Sequence, residues 1–304
     1  MTKLYKYNVE PMNEDQKRAF VQKCEDEFEA QLERAADIII NDDSKIVTLS
    51  GPTCSGKTTT ASRFISAIEK SGKKVGVISI DDFYKSREDL ARESKERGLE
   101  KVDYDSALSI DLDYFEKCID GILEKRTIML PKYSFDEGRR VEYTEFDSSK
   151  YSCIILEGIQ AVYPEVTQHI HTGYKSVQIS VATDVEVNGS FFTSRQIRFI
   201  RRMIRDAKFR SAPPEVTFNM WKGVSENEDL HIMPFAGQYD IEIDSYMEYE
   251  LFMTKKIVEK LLKDIDKNHE FYHKSEEIKG KIKDFFDISP DYLPKKSVYH
   301  EFLG

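Results

Sequence analysis

The chain has 304 residues, a formal net charge of −10, 40% hydrophobic and 33% charged side chains. That length carries one large α/β domain or two modest ones without a disulfide or metal staple, and the acidic balance disfavours broad contact with a nucleic-acid backbone. Cys24, Cys54, Cys118 and Cys153 are scattered, with no Cys-x-x-Cys pair and no histidines at zinc spacing, and no apolar run approaches the ~18 residues of a membrane span. A reduced, cytoplasmic chain with neither a membrane nor a nucleic-acid partner is the expectation.

Taken in order, residues 13–37 predict an amphipathic helix, with Phe20, Cys24, Phe28 and Leu32 recurring every fourth position among charges. Asn41-Asp42-Asp43-Ser44 breaks that pattern. Apolar, β-rich runs follow at 45–50, 75–80, 127–130, 153–156, 176–181 and 239–243, and helical patterns near 57–70, 111–124, 194–210 and 245–264 alternate with them. This alternation predicts an α/β fold whose parallel sheet is covered on both faces. Segment 85–101 is dense in charge, lacks a core stripe and reads as a mobile excursion. The tail is charged and ends in LPKKSVYHEFLG, which is expected to pack back on the domain. The expected organisation is a helical N-terminal extension (1–44), a main domain (45–265) and a C-terminal tail (266–304). The extension and the tail are candidate surfaces for self-association.

Gly51-Pro52-Thr53-Cys54-Ser55-Gly56-Lys57-Thr58 matches G-x-x-x-x-G-K-[ST] between an apolar strand and a helix. Glycines let backbone N–H groups curl around a phosphate, Lys57 adds a cation for the β/γ oxygens, and the Thr58 hydroxyl can bind Mg²⁺. The helix then points its positive N-terminus at the same phosphates. Thr53, Cys54, Ser55 and Thr59 belong to this cradle.

Asp81 and Asp82 follow the run at 75–80, which places them at the carboxyl edge of a parallel sheet. There a carboxylate can take the proton of an attacking hydroxyl or approach a metal, although Asp is also a favoured helix cap. Glu157-Gly158 ends the run at 153–156 in the same way, as a candidate Mg²⁺ carboxylate or a solvated strand-end acid. Residues 195–210, RQIRFIRRMIRDAKFR, hold seven basic residues and one acid. On a helix Arg195, Arg198, Arg202 and Arg205 share a narrow arc opposite Ile197, Ile200, Ile204 and Ala207. Crowded like charges repel, so this face calls either for solvent or for an anionic partner such as a transferring phosphoryl group.

Together these residues resemble the uridine kinase/phosphoribulokinase family, in its uridine-kinase-like bacterial branch. The resemblance spans about 45–255 and rests on ordered motifs: GPTCSGKTT, DDFY at 81–84, VDYDSALSIDL at 102–112, PKYSFDEGRR at 131–140, ILEGIQAVY at 155–163 and RRMIRDAKFR at 201–210. The terminal SVYHEFLG adds a short likeness. It implies a P-loop NTPase-type sheet with a helical lid, using ATP and Mg²⁺ to phosphorylate a nucleoside. Asp81 would be the general base at the 5′-hydroxyl, also approaching the metal held by Thr58 and Glu157. Asp105 and Arg202 would hold the ribose hydroxyls, and Tyr84, Tyr133 and Phe135 would line the nucleoside pocket, where the alternative is plain core packing. Arg205, as a catalytic cation, and Arg210 would clamp the phosphates under the lid.

Two positions depart from the family pattern. The histidine that reads the pyrimidine is replaced by Gly138, so pyrimidine specificity does not carry over. The lid's Arg-Gly-Arg is replaced by Arg210-Ser211-Ala212, which removes one cation. A kinase for another alcohol, such as a sugar phosphate or a pantothenate-like acceptor, stays open because Lys132, Arg139 and Arg140 lie in the acceptor motif. A nucleotide-binding regulator is a further alternative. The chain lacks the Asn-Lys-x-Asp run expected of a GTPase, and it has no second basic, aromatic-interleaved surface for a nucleic-acid-dependent NTPase.

Overall fold

A computed structural model describes residues 3–104 and 106–304, with the Lys3 side chain left out. The strands are β1 (Lys3–Tyr7), β2 (Ile46–Ser50), β3 (Val75–Ser79), β4 (Thr127–Ser134), β5 (Arg139–Asp147), β6 (Cys153–Glu157), β7 (Tyr174–Ser180), β8 (Thr183–Val187), β9 (Ser190–Phe192) and β10 (Ile241–Asp244). The helices are α1 (Glu14–Ile40), α2 (Lys57–Glu69), α3 (Arg87–Glu96), α4 (Leu112–Leu123), α5 (Pro164–Thr167), α6 (Ser194–Arg210), α7 (Pro214–His231), α8 (Glu250–Leu262), α9 (Tyr272–Ile282) and α10 (His300–Leu303).

Five strands form a parallel sheet in the order β10-β7-β2-β6-β3. Because successive side chains point to opposite faces, each central strand feeds two cores. Val47, Leu49 and Ile155 enter one core with α1, α2, α6 and α8, while Ile46, Ile154 and Leu156 enter the other against Phe115, Ile119 and Ile122 of α4. The predicted α/β class with helices on both faces is therefore the observed one. Among the described residues no helix is long and apolar enough to cross a membrane.

Several elements differ from the sequence expectation. The run at 127–130 extends to Ser134 and pairs with β5 as an antiparallel hairpin outside the parallel sheet. Segment 85–101 contains helix α3, capped by the Ser86 hydroxyl and anchored by Leu90, which is 1% exposed. One anchoring apolar residue leaves no periodic stripe to read. The first strand pairs with β8 in a small separate sheet, and α7 and α9 add helices that the sequence reading omitted. Helix α1 is capped by a reciprocal Asn13–Gln16 box and buries Val21, Cys24, Phe28, Leu32 and Ile39, with Phe20 on the flank. Arg63 of α2 bonds Glu25 and Glu29 of α1. At the C-terminus Val298, Tyr299, Phe302 and Leu303 are buried, and the Ser297 hydroxyl donates to Glu25.

Candidate active site

The loop between β2 and α2 takes its shape from residues that tolerate unusual backbone. Gly51 passes so close to the Ile179 carbonyl that any Cβ there would collide with it. Cys54 and Gly56 sit at φ +56° and +78°, in the left-handed region that favours glycine. Gly56 also faces the tail: a Cβ on it would lie 2.6 Å from Val298 Cγ1. The Ser55 hydroxyl is buried inside this cradle with no protein partner among the described residues. Thr58 is exposed at the start of α2. A buried, unsatisfied donor beside a helix N-terminus suits an anionic oxygen.

Strand register brings the acids to this loop. Glu157 lies opposite Leu49 of β2 on one side and Ser79 of β3 on the other. The carboxyl ends of three adjacent strands therefore deliver the phosphate loop, Glu157 and the 81–82 turn to one edge. Lys57 Nζ sits 3.1 Å from Glu157 Oε1. Asp81 stands beside Gly158, whose absent Cβ would lie 3.7 Å from Asp81 Oδ1. Burial pushes the Asp81 carboxyl above the usual range; Lys57 pulls it down, and Glu157 and Asp82 push it further up. Asp82 faces away and holds the hairpin, accepting from Tyr133 N at 3.1 Å and Lys132 Nζ at 3.2 Å. Thr58, Asp81 and Glu157 supply the hard oxygen donors that suit Mg²⁺, and the empty-handed Ser55 hydroxyl marks the adjoining cradle as polar.

The arginine helix is occupied differently from its sequence reading. Its anionic partners are carboxylates of the protein, and much of its basic face is buried. Arg198 forms a fork with Glu228 of α7 at 2.6 and 2.7 Å and also donates to the Thr53 carbonyl at 3.1 Å. Arg201, outside the predicted arc, is completely buried against Glu250 at 2.7 and 2.8 Å and reaches the Cys54 carbonyl at 3.4 Å. Arg202 bonds Asp206 and approaches the Thr53 hydroxyl, and Arg195 pairs with Asp229. Arg205 and Arg210 also face Asp206, at 3.6 and 3.1 Å. Helix α6 thus braces the phosphate loop through its carbonyls. Asp105, the expected companion of Arg202, lies outside the described residues.

Tyr84, Tyr133 and Phe135 form one ring cluster, with centroids 5.2–5.9 Å apart. Tyr133 is buried, as core packing would leave it, Tyr84 is half-buried, and Phe135 is 58% exposed. Gln160, missed in the sequence, donates to the Tyr84 hydroxyl at 2.8 Å. Glu301 of the tail was also missed: its carboxylate accepts from Thr59 N at 3.3 Å and from the Thr59 hydroxyl at 3.2 Å. At Gly138, φ is +66° and the stem of Arg87 lies where a side chain would project.

A phosphate loop on a parallel sheet, with an acid pair at the neighbouring strand ends, defines a P-loop small-molecule kinase. The chain belongs to the Phosphoribulokinase / Uridine kinase family, whose model matches residues 46–251. It is 29% identical over 199 residues to a uridine kinase of Ureaplasma parvum, covering 65% of this chain and 86% of that one. It is 26% identical over 210 residues to a uridine kinase of Lactobacillus helveticus, covering 66% and 90%. A solved structure of a possible uridine kinase from Bacillus stearothermophilus superposes with a TM-score of 0.47 at 14% identity, over 72% of this chain and all of that one.

Proposed function

We propose that the chain transfers the γ-phosphoryl group of Mg-ATP to the 5′-hydroxyl of a nucleoside, as a member of the uridine-kinase-like branch. The observation that carries this reading is the division of labour between the paired acids. The Asp82 carboxylate is committed to the hairpin, whereas the Asp81 carboxylate accepts no hydrogen bond among those described and stands, partly buried, between Lys57, Glu157 and the turn that leads to Tyr84. Its raised pKa suits a general base, which needs proton affinity to act. The acceptor oxygen attacks the γ-phosphorus, its proton passes to Asp81, and the bond to the ADP oxygen breaks. Lys57, turning from Glu157 to the phosphates, stabilises the transferring charge. Thr58, Glu157 and Asp81 would hold Mg²⁺, which supplies charge neutralisation on the β/γ oxygens. Arg205 and Arg210 lie at the end of α6 from which a phosphate clamp would close.

The exposed Phe135 ring, backed by the half-buried Tyr84 and the buried Tyr133, favours an acceptor with a flat base. The sugar-phosphate alternative weakens because the cations of its motif are already neutralised: Lys132 by Asp82, Arg139 by Glu137 and Arg140 by Asp111. The test is ADP release from Mg-ATP against ribonucleosides, deoxyribonucleosides, ribulose 5-phosphate and pantothenate. Nucleoside-dependent turnover that falls by about 10²–10⁴-fold in Asp81→Asn supports the reading. Turnover with only a non-nucleoside alcohol, or unchanged turnover in the variant, defeats it.

A further inference from the structure

We propose that Arg87 reads the acceptor's base, selecting nucleosides that present an oxo edge over those that present an amino group there. This rests on the nucleoside reading above and narrows it. Arg87 opens α3 and lies across the hairpin tip: its backbone N–H donates to the Gly138 carbonyl at 2.8 Å, and its guanidinium donates to the carbonyls of Phe135 and Asp136. Gly138 sits at φ +66°, in the left-handed region that favours glycine, and the Arg87 stem occupies the space a Cβ would enter. The position that lacks a side chain is therefore filled by one from another element.

Two further observations give this guanidinium a role. It belongs to the same tip as the exposed Phe135 ring, and it acts on the Tyr133 hydroxyl, opposing the rise that burial causes. It also differs from the other cations around the hairpin. Lys132, Arg139 and Arg140 each have a carboxylate, whereas among the described residues Arg87 has only neutral carbonyl partners. A guanidinium carries five N–H donors and no acceptor. The two carbonyls use two of them, and the remainder can meet only lone pairs. A base edge with a carbonyl oxygen, alone or beside a ring nitrogen, satisfies them; an exocyclic amine sets donor against donor. At the pyrimidine 4-position and the purine 6-position, uracil, hypoxanthine and guanine carry an oxo group, whereas cytosine and adenine carry an amine. The exposed Phe135 ring at the same tip offers a stacking face and no charge, which favours a neutral base as the target.

The experiment measures kcat/KM for uridine, inosine, guanosine, cytidine and adenosine at saturating Mg-ATP, in the parent, Arg87→Gln and Arg87→Glu. The parent should favour its best oxo nucleoside over the amino counterpart by about 5- to 100-fold. Gln, with both a donor and an acceptor, should flatten that ratio, and Glu, an acceptor only, should reverse it, with KM for ATP unmoved. A parent that turns over nucleosides with the same ratio as both variants overturns the role of Arg87 and leaves the kinase reading standing. A parent inactive on every nucleoside overturns both.

Discussion

The Arg201–Glu250 pair offers the sharpest test of how the phosphate loop is held. Both side chains are 0% exposed and meet in a fork at 2.7 and 2.8 Å. Glu250→Gln preserves shape but removes the one carboxylate at bonding distance among the described residues and turns an amide donor toward a guanidinium. Arg201 then keeps neutral partners: the Ser245 hydroxyl and carbonyl at 3.0 and 2.9 Å, the Tyr299 hydroxyl at 3.2 Å, and the faces of Tyr299 and Phe302. Breaking one side of a buried pair costs about 3–5 kcal/mol. The retained neutral contacts point to the lower end, about 3 kcal/mol, against a total stability of order 5–15 kcal/mol. Urea unfolding should show an early midpoint with unchanged slope, and donor affinity should fall because Arg201 also holds the Cys54 carbonyl. The double change Arg201→Met with Glu250→Leu, which leaves no orphan charge, should cost less than the single one. A loss below about 1 kcal/mol in Glu250→Gln, or a double variant less stable than the single, would refute this reasoning.

Two other outcomes follow from the same geometry. Burial raises the folded-state pKa of Asp81 above its unfolded value, so folding favours the protonated form and the charged form costs stability. Asp81→Asn should therefore melt above the parent at neutral pH in chelator, with the gap closing as pH falls through the raised pKa to the ordinary carboxylate range; equal melting at neutral pH would contradict the shift. Glu301 bonds the Thr59 N–H and hydroxyl in the first turn of α2, where an incoming phosphate would also bind. Glu301→Gln should tighten Mg-ATP binding by about 2- to 5-fold in an equilibrium titration, and unchanged or weaker binding would show that the tail does not compete for that turn.

The parts of the fold legible in the sequence are those where one local rule decides the outcome. β2 and β6 are near-continuous apolar runs because both their faces are covered, and the phosphate loop is legible because its backbone admits few residue types. β5 was missed because RRVEYTEFD is mostly exposed and carries no buried stripe. α7 was missed for a related reason: its buried set is only Pro214, Thr217, Phe218 and Glu228. Asp206 lies within α6, but the carboxylates that close Arg198 and Arg201 come from distant segments. Glu228 lies 30 residues from Arg198, and Glu250 lies 49 from Arg201. No window of the sequence contains both halves of such a pair, so the helix read as a charge surplus awaiting a ligand.

That surplus has in fact been divided, and the division says which cations remain available to phosphate. Arg198 and Arg201 are each closed by a dedicated carboxylate and by a loop carbonyl, so recruiting either would leave a buried acid unpaired. Asp206 is different. Its single carboxylate serves Arg202, Arg205 and Arg210, and three guanidinium charges against one carboxylate leave two positive charges over. The excess reaches the loop: burial raises the Cys54 thiol pKa while Arg205, and less strongly Arg202, pulls it down. An arriving phosphate gains most from charge that is already desolvated and only partly answered, and that condition holds for Arg202 and Arg205 beside Asp206, with Arg210 more exposed, rather than along the whole helix. The neutralised arginines fix the loop's shape, and the shared carboxylate keeps cationic charge beside it.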